Sequence, residues 1–91
     1  MKKAHIFISG FVQGVGFRQF IKKEAQNLKL KGWVKNLPDN RVEIFVEGSK
    51  ENIEKLIKLC EKGPFLSEVK NITVDFLEEN KQGKIEDFII L

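Results

Sequence analysis

The sequence predicts an α+β domain in which an antiparallel sheet carries two helices on one face. Three observations lead to this prediction. Apolar and polar residues alternate in several short segments, two other segments have the apolar spacing of a helix, and the order of the segments is β-α-β-β-α-β. A chain of 91 residues with 42% apolar residues is long enough for one hydrophobic core. We therefore expect a single domain spanning residues 1–91.

The first half of the chain contains a strand, a helix and a hairpin. Residues 3–11 read as the first strand, and residues 30–37 and 42–46 as the second and third. Residues 38–40, Pro-Asp-Asn, are typical of a turn, because proline presets one backbone angle and asparagine tolerates the left-handed conformation. Between the first two strands, apolar residues recur with the spacing of a helix: Phe17, Phe20, Ile21, Ala25 and Leu28.

The second half begins with a helix that has recognisable ends. Ser49 is suited to cap its first turn, and Gly63 followed by Pro64 is typical of a helix stop. One face of this helix is apolar and consists of Ile53, Leu56, Ile57 and Cys60.

Two more strands are expected after this helix. Apolar residues alternate over residues 72–76, residues 80–84 read as a loop, and residues 87–91, DFIIL, read as a short last strand. This element order is that of the ferredoxin-like sandwich. The same fold serves many functions, so the function has to be inferred from a site.

Composition excludes several classes of protein. No apolar stretch approaches the ~20 residues that a membrane span needs. The N-terminus has two lysines and a short apolar run, but Ser9 and Gly10 interrupt the run and no small-residue cleavage site follows, which argues against a signal peptide. A single cysteine, Cys60, cannot form an internal disulfide, so a cytoplasmic location is expected. Cys60 lies on the apolar helix face and is expected in the core.

The segment before the first helix is suited to bind an anion. Gly14 and Gly16 let the backbone curl so that successive N–H groups face inward, and Arg18 falls in the first helical turn, where a cation is unfavourable unless an anion lies nearby. Only Arg18 and Arg41 among the sixteen basic residues are arginine, whose planar fork fits a phosphate. A glycine turn followed by a surface arginine is the alternative. The segment matches neither a P-loop nor a dinucleotide fingerprint.

Two motifs in this part of the chain resemble the signatures of the acylphosphatase family. The first is VQGVGFR, residues 12–18, with Gly10 two residues before it. The second is GWVKN, residues 32–36, followed at the family's spacing by Val42 and Gly48. One position departs from the family pattern, since Asn40 stands where the family has glycine. Asparagine also tolerates a left-handed turn position, so the departure concerns the detail of the loop.

The resemblance implies metal-independent hydrolysis of acyl phosphates to a carboxylate and inorganic phosphate. It implies that Arg18 binds the phosphate together with backbone amides of the loop, and that Asn36 orients the attacking water. No cofactor is expected, because His5 is the only histidine and no spaced set of metal ligands is visible. Phosphate and sulfate are expected to inhibit. The expected substrate-binding residues are Gln13, Gly14, Val15, Gly16 and Phe17.

Two other functions compete with hydrolysis. RNA-recognition domains share the element order, but Lys35 stands where their strand motif needs an aromatic residue. A non-catalytic or regulatory acylphosphatase-like domain is the stronger alternative, since such domains occur fused in a hydrogenase-maturation protein.

We expect a monomer that acts on a small molecule and binds neither nucleic acid nor membrane. Four lysines are interpreted as a solvated helix face: Lys22, Lys23, Lys29 and Lys31.

For three further side chains the sequence supports only a general statement of where they lie. His5 is expected to be structural or exposed on its strand. Arg41 is expected on the solvent face of the sheet, paired with a carboxylate. The position of Trp33 is left open, because the sequence permits either a core or an exposed placement.

Overall fold

The computed structural model describes residues 1–77 and 85–91, which form five strands and two helices. The predicted loop at residues 80–84 lies outside the described residues. Every predicted strand and helix is present within a few residues of its expected limits. The elements are β1 (Lys2–Phe11), α1 (Phe17–Asn27), β2 (Lys31–Asn36), β3 (Val42–Gly48), α2 (Lys50–Lys62), β4 (Glu68–Leu77) and β5 (Phe88–Ile90).

The strands form one sheet in the order β4-β1-β3-β2-β5. The predicted antiparallel pairing is confirmed for the four long strands, whereas β5 pairs parallel with β2, so the sheet is mixed. The physical reason is one of direction. β1 and β2 both run opposite to β3, and β4 runs opposite to β1. A strand that reverses the direction of β4 therefore runs the same way as β2.

The hydrophobic core lies between the sheet and the two helices. Alternate residues of β1 and β3 are fully buried on this side, because successive side chains of a strand point to opposite faces. Cys60 of α2 is among the buried residues, as predicted, and burial raises the pKa of its thiol to about 12. The bulkiest of the fully buried apolar side chains are Phe17, Phe88, Ile6, Ile8, Ile21, Ile44, Ile53 and Leu56.

The opposite face of the sheet carries a cluster of rings that we call the aromatic face: His5, Phe7, Trp33 and Phe45. Trp33 stacks on Phe45 with ring centroids 6.0 Å apart, and the His5 and Phe7 centroids are 4.8 Å apart. The His5 imidazole also bonds to the Glu43 carboxylate. These contacts place Trp33 outside the main core. Of the two alternatives predicted for His5, structural or exposed, they favour the structural one.

The β2–β3 turn has a defined network of hydrogen bonds. The Leu37 amide donates to the Arg41 carbonyl at 2.8 Å, and the Asn40 amide donates to the Leu37 carbonyl at 3.2 Å. Asn40 has a left-handed φ of 74°, a conformation that asparagine tolerates better than most residues. Arg41 pairs with Asp39 at 2.8 Å, which confirms a carboxylate partner, and the Arg41 amide and guanidinium lower the pKa of Asp39.

The helix ends follow the sequence in most respects. The Ser49 side chain accepts a hydrogen bond from the Asn52 amide at 3.1 Å, and Gly63 ends α2 with a φ of 67°. Only two of the four lysines that were predicted to form a helix face lie on a helix. Lys22 and Lys23 lie on α1, whereas Lys29 follows the helix and Lys31 begins β2. The helix is shorter than the lysine spacing suggested, because Lys29 adopts a left-handed φ of 57°.

Gly32 is required by the close approach of β2 and β3. Its φ is 146°, and a Cβ there would lie 1.9 Å from the carbonyl oxygen of Phe45. We expect Gly32→Ala to reduce the free energy of unfolding by about 3 kcal/mol, since the backbone of β3 would have to move. Urea unfolding followed by circular dichroism measures this change.

Gly14→Ala provides the matched control for this experiment. A Cβ at Gly14 meets nothing within 4 Å, so only its left-handed φ of 75° opposes alanine. That conformation costs about 1 kcal/mol for an L-residue. Equal losses in the two variants would show that the contact with Phe45 is unimportant.

Candidate active site

The loop between β1 and α1 has the curled backbone that its glycines predict. Gly14 and Gly16 have φ values of 75° and 78°, and neither position is crowded by neighbouring atoms. Glycine is therefore favoured here by backbone conformation and not by lack of space. This conformation turns the chain directly into the first turn of α1.

The first turn of α1 is left without a side-chain cap. Gly16 is the N-cap residue, the described part of the chain supplies no side-chain cap bond, and the turn contains no acidic residue. The first intrahelical bond runs from the Phe20 amide to the Gly16 carbonyl at 3.0 Å. The amides before Phe20 consequently have no partner within the helix, and the helix dipole makes this end positive. Such an end favours an anion.

Arg18 is the second residue of α1 and its side chain is half-buried. Its guanidinium makes no hydrogen bond or ion pair with residues 1–77 or 85–91. A positive side chain at the positive end of a helix raises the energy of the free protein. A bound anion would relieve this repulsion and could accept two parallel hydrogen bonds from the guanidinium.

Asn36 is the last residue of β2, paired with Val42 of β3. Its side-chain oxygen Oδ1 is buried and has no hydrogen-bond partner in the described part of the chain. A buried acceptor without a donor costs about 1–3 kcal/mol. A water molecule or a ligand hydroxyl is the kind of donor that this oxygen requires.

One cavity of about 220 Å³ brings these features together. It places Arg18 of α1 and Asn36 of β2 around the same space, together with Gly14, Gly16 and Phe17 of the predicted set. The remaining two predicted residues, Gln13 and Val15, belong to the same loop but do not line the cavity. The lining consists of Val12, Gly14, Gly16, Phe17, Arg18, Gln19, Asn36 and Ile90.

The predicted set of site residues missed three residues of this lining: Val12, Gln19 and Ile90. Val12 is the first residue of the VQGVGFR motif, although no role was assigned to it. Gln19 follows Arg18 in the first helical turn, and that adjacency could have drawn attention to it. Ile90 comes from β5, where it pairs with Val34, and the Leu91 amide donates to the Val34 carbonyl at 2.9 Å. The sequence indicated a final strand, but periodicity alone does not reveal which strand it pairs with.

Comparison with known proteins identifies the family of this chain. The family model described as Acylphosphatase matches residues 4–90. The chain belongs to the acylphosphatase family. Its sequence is 43% identical to an acylphosphatase of Chloroflexus aurantiacus over 89 residues, which cover 98% of this chain and 95% of the relative.

Solved acylphosphatase structures confirm the fold. An acylphosphatase from Bacillus subtilis superposes with a TM-score of 0.93 and 37% identity, covering 100% of this chain and 99% of that one. A second match is to HypF of T. kodakarensis, with a TM-score of 0.83 and 41% identity. This match covers 100% of the present chain but 12% of HypF, so it concerns one part of a longer protein.

The predicted family, the ferredoxin-like fold and the assignment as an acylphosphatase hydrolase are thus confirmed. Among the described residues, neither α1 nor α2 is long and apolar enough to cross a membrane. Within the same residues, no three His, Cys, Asp or Glu side chains are grouped so that they could hold a metal ion.

Proposed function

We propose that this acylphosphatase hydrolyses its substrate by direct attack of water at phosphorus, without a metal ion. Arg18 and the amides of residues 14–18 hold the phosphoryl group, and Asn36 orients the water. Phosphoryl transfer depends mainly on positioning and on stabilising charge. An arginine and a ring of amides supply both, and such preorganised donors contribute several powers of ten in rate.

One observation carries this proposal. Two groups that line the same cavity have no partner among residues 1–77 and 85–91: the guanidinium of Arg18 and the buried side-chain oxygen of Asn36. A phosphoryl group satisfies the first and a water molecule satisfies the second. The two ligands would lie side by side, which is the arrangement that hydrolysis requires.

The chemistry needs no proton donor for the leaving group. Water forms a new bond to phosphorus while the bond from phosphorus to the carboxyl oxygen breaks. The leaving carboxylate has a conjugate acid with a pKa of about 4, so it departs as an anion. The proton lost by the water goes to the phosphate product. The amide of Asn36 accepts a hydrogen bond from the water but is a poor base, which suits orientation and not proton removal.

The same site suggests which other molecules bind. Inorganic phosphate and sulfate present the same oxygens as the substrate, so we propose that both inhibit competitively. The cavity volume of about 220 Å³ suits a small acyl phosphate. We also propose that the protein acts as a monomer and binds neither nucleic acid nor membrane. The reduced, buried thiol of Cys60 is compatible with a cytoplasmic location.

A spectroscopic assay with a simple aryl acyl phosphate tests the proposal. We expect turnover well above spontaneous hydrolysis, and the same rate with an excess of a divalent-metal chelator, because the positive charge in the site comes from Arg18. Competitive inhibition by phosphate in the same assay locates the phosphoryl site. Loss of turnover with the chelator, restored by adding a divalent ion, would contradict the metal-free mechanism.

A non-catalytic domain that binds acyl phosphates is the second candidate. The observation behind it is the match to one segment of the much longer HypF, because a fold of this kind can serve different functions in different chains. This candidate predicts phosphate binding at the cavity with no turnover of any acyl phosphate. Calorimetric binding of phosphate measured beside the assay distinguishes the two functions.

A further inference from the structure

The side chain of Gln13 joins two separate parts of the active site. Its amide nitrogen Nε2 donates to the Leu37 carbonyl and to the Arg41 carbonyl, both at 2.9 Å. Both hydrogens of the amide are therefore used, and the side chain is half-buried. Gln13 immediately precedes Gly14 of the phosphate loop, and Leu37 immediately follows Asn36.

These two bonds connect elements that the sheet does not join directly. The phosphate loop follows β1, whereas Asn36 ends β2, and β3 lies between the two strands. No backbone ladder runs from β1 to β2 in the described residues. The Gln13 side chain crosses the end of β3 and binds the β2–β3 turn at both of its ends.

We propose that Gln13 is a positioning residue that fixes Asn36 relative to the phosphate loop. The inference rests on the proposed function, in which Asn36 holds the attacking water. Attack requires the water oxygen at about 3–3.5 Å from phosphorus, and a displacement of about 1 Å can cost 10²-fold in rate. Two hydrogen bonds beside Asn36 restrain such a displacement.

To reach both carbonyls, the side chain at position 13 must be as long as glutamine and must donate two hydrogen bonds. Gln13→Glu has the same shape but directs an oxygen at two carbonyl oxygens, which repels the turn. Gln13→Met has similar length and no donor. Both variants should therefore lose the connection while the loop amides that face the phosphoryl group stay in place.

The test is a double-mutant cycle measured in the aryl acyl phosphate assay. Gln13→Met is expected to lower kcat by about 10- to 100-fold and to change the phosphate inhibition constant by less than about 3-fold. When Asn36→Ala is already present, Gln13→Met should change kcat by less than about 3-fold, because its effect passes through Asn36.

Gln26→Met is the matched control. Within the described residues, the Gln26 side chain donates one exposed hydrogen bond, to the Asp87 carboxylate at 3.4 Å. Gln26 does not line the cavity, so kcat should not change. Circular dichroism checks that each variant is folded. Gln13→Glu replaces Gln13→Met in the cycle if the latter does not fold, and the same coupling is expected.

The possible outcomes distinguish a failure of the positioning role of Gln13 from a failure of the proposed function of Asn36. If Gln13→Met lowers kcat equally with and without Asn36, or weakens phosphate binding in parallel, Gln13 does not act through Asn36 and the inference is overturned. If Asn36→Ala itself leaves kcat unchanged, the proposed function fails first. If Asn36→Ala is impaired and Gln13→Met is normal, only the positioning role is lost.

Discussion

Arg18→Lys is expected to lower kcat/KM by about 10³-fold although the positive charge is kept. The ammonium of lysine is a point donor and cannot make the two parallel hydrogen bonds that a guanidinium makes to a phosphoryl group. In the proposed mechanism Arg18 contacts this group before and during attack, so we expect weaker phosphate inhibition as well as slower turnover. Steady-state kinetics with phosphate as inhibitor measure both effects.

Arg41→Lys is the matched control for this variant. Arg41 is the only other arginine of the chain, and its guanidinium pairs with the exposed Asp39 at the turn. Exposed pairs of this kind contribute little to stability, and the guanidinium does not line the cavity. Activity close to that of the parent is therefore expected for Arg41→Lys. A folded Arg18→Lys enzyme with similar activity would show that Arg18 is not part of the machinery.

Asn36→Ala is expected to lower kcat by about 10²–10³-fold while phosphate inhibition is almost unchanged. In the proposed mechanism Asn36 contacts the attacking water, whose interactions matter mainly when attack begins. Loss of Asn36 should therefore affect the transition state more than the bound phosphate. Turnover and the phosphate inhibition constant are measured on the same preparation. A parallel loss of both would place Asn36 in the phosphate site and contradict the division of roles.

Asn52→Ala controls for the general effect of removing an asparagine. The Asn52 side chain donates to the Leu28 carbonyl at 3.1 Å, a contact between α2 and the end of α1 that is remote from the cavity lining. We expect Asn52→Ala to reduce stability by about 1 kcal/mol without changing kcat. A similar fall in kcat for Asn52→Ala would mean that activity follows stability.

Local sequence patterns predicted the elements of the fold well because their causes are local. Ser49 caps α2 through a neighbour three residues away, and the alternation along β1 and β3 follows from the pleat of a strand. The parallel pairing of β5 with β2 was not predicted, since it depends on where a distant strand finds an open sheet edge. The placement of Trp33 was not predicted either, because the alternation along a strand does not reveal which of its two faces is buried.

The candidate site was predicted in part for a related reason. Gly14, Gly16 and Arg18 are close in sequence, so their spacing alone was enough to predict an anion site at the start of α1. Asn36 was indicated only by the family signature. Ile90 and the bonds of the Gln13 side chain involve partners far along the chain, so no local spacing could reveal them. The roles of Arg18 and Asn36 stay predictions until the variants are measured.

The stacking of Trp33 on Phe45 has a practical consequence for following this enzyme. Trp33 is the chain's only tryptophan, so a single indole in a fixed ring environment dominates the intrinsic fluorescence. This indole lies on β2, three residues before Asn36, but on the aromatic face and outside the cavity lining. A change in emission on adding phosphate would therefore report movement of the strand itself, without direct contact between the anion and the fluorophore.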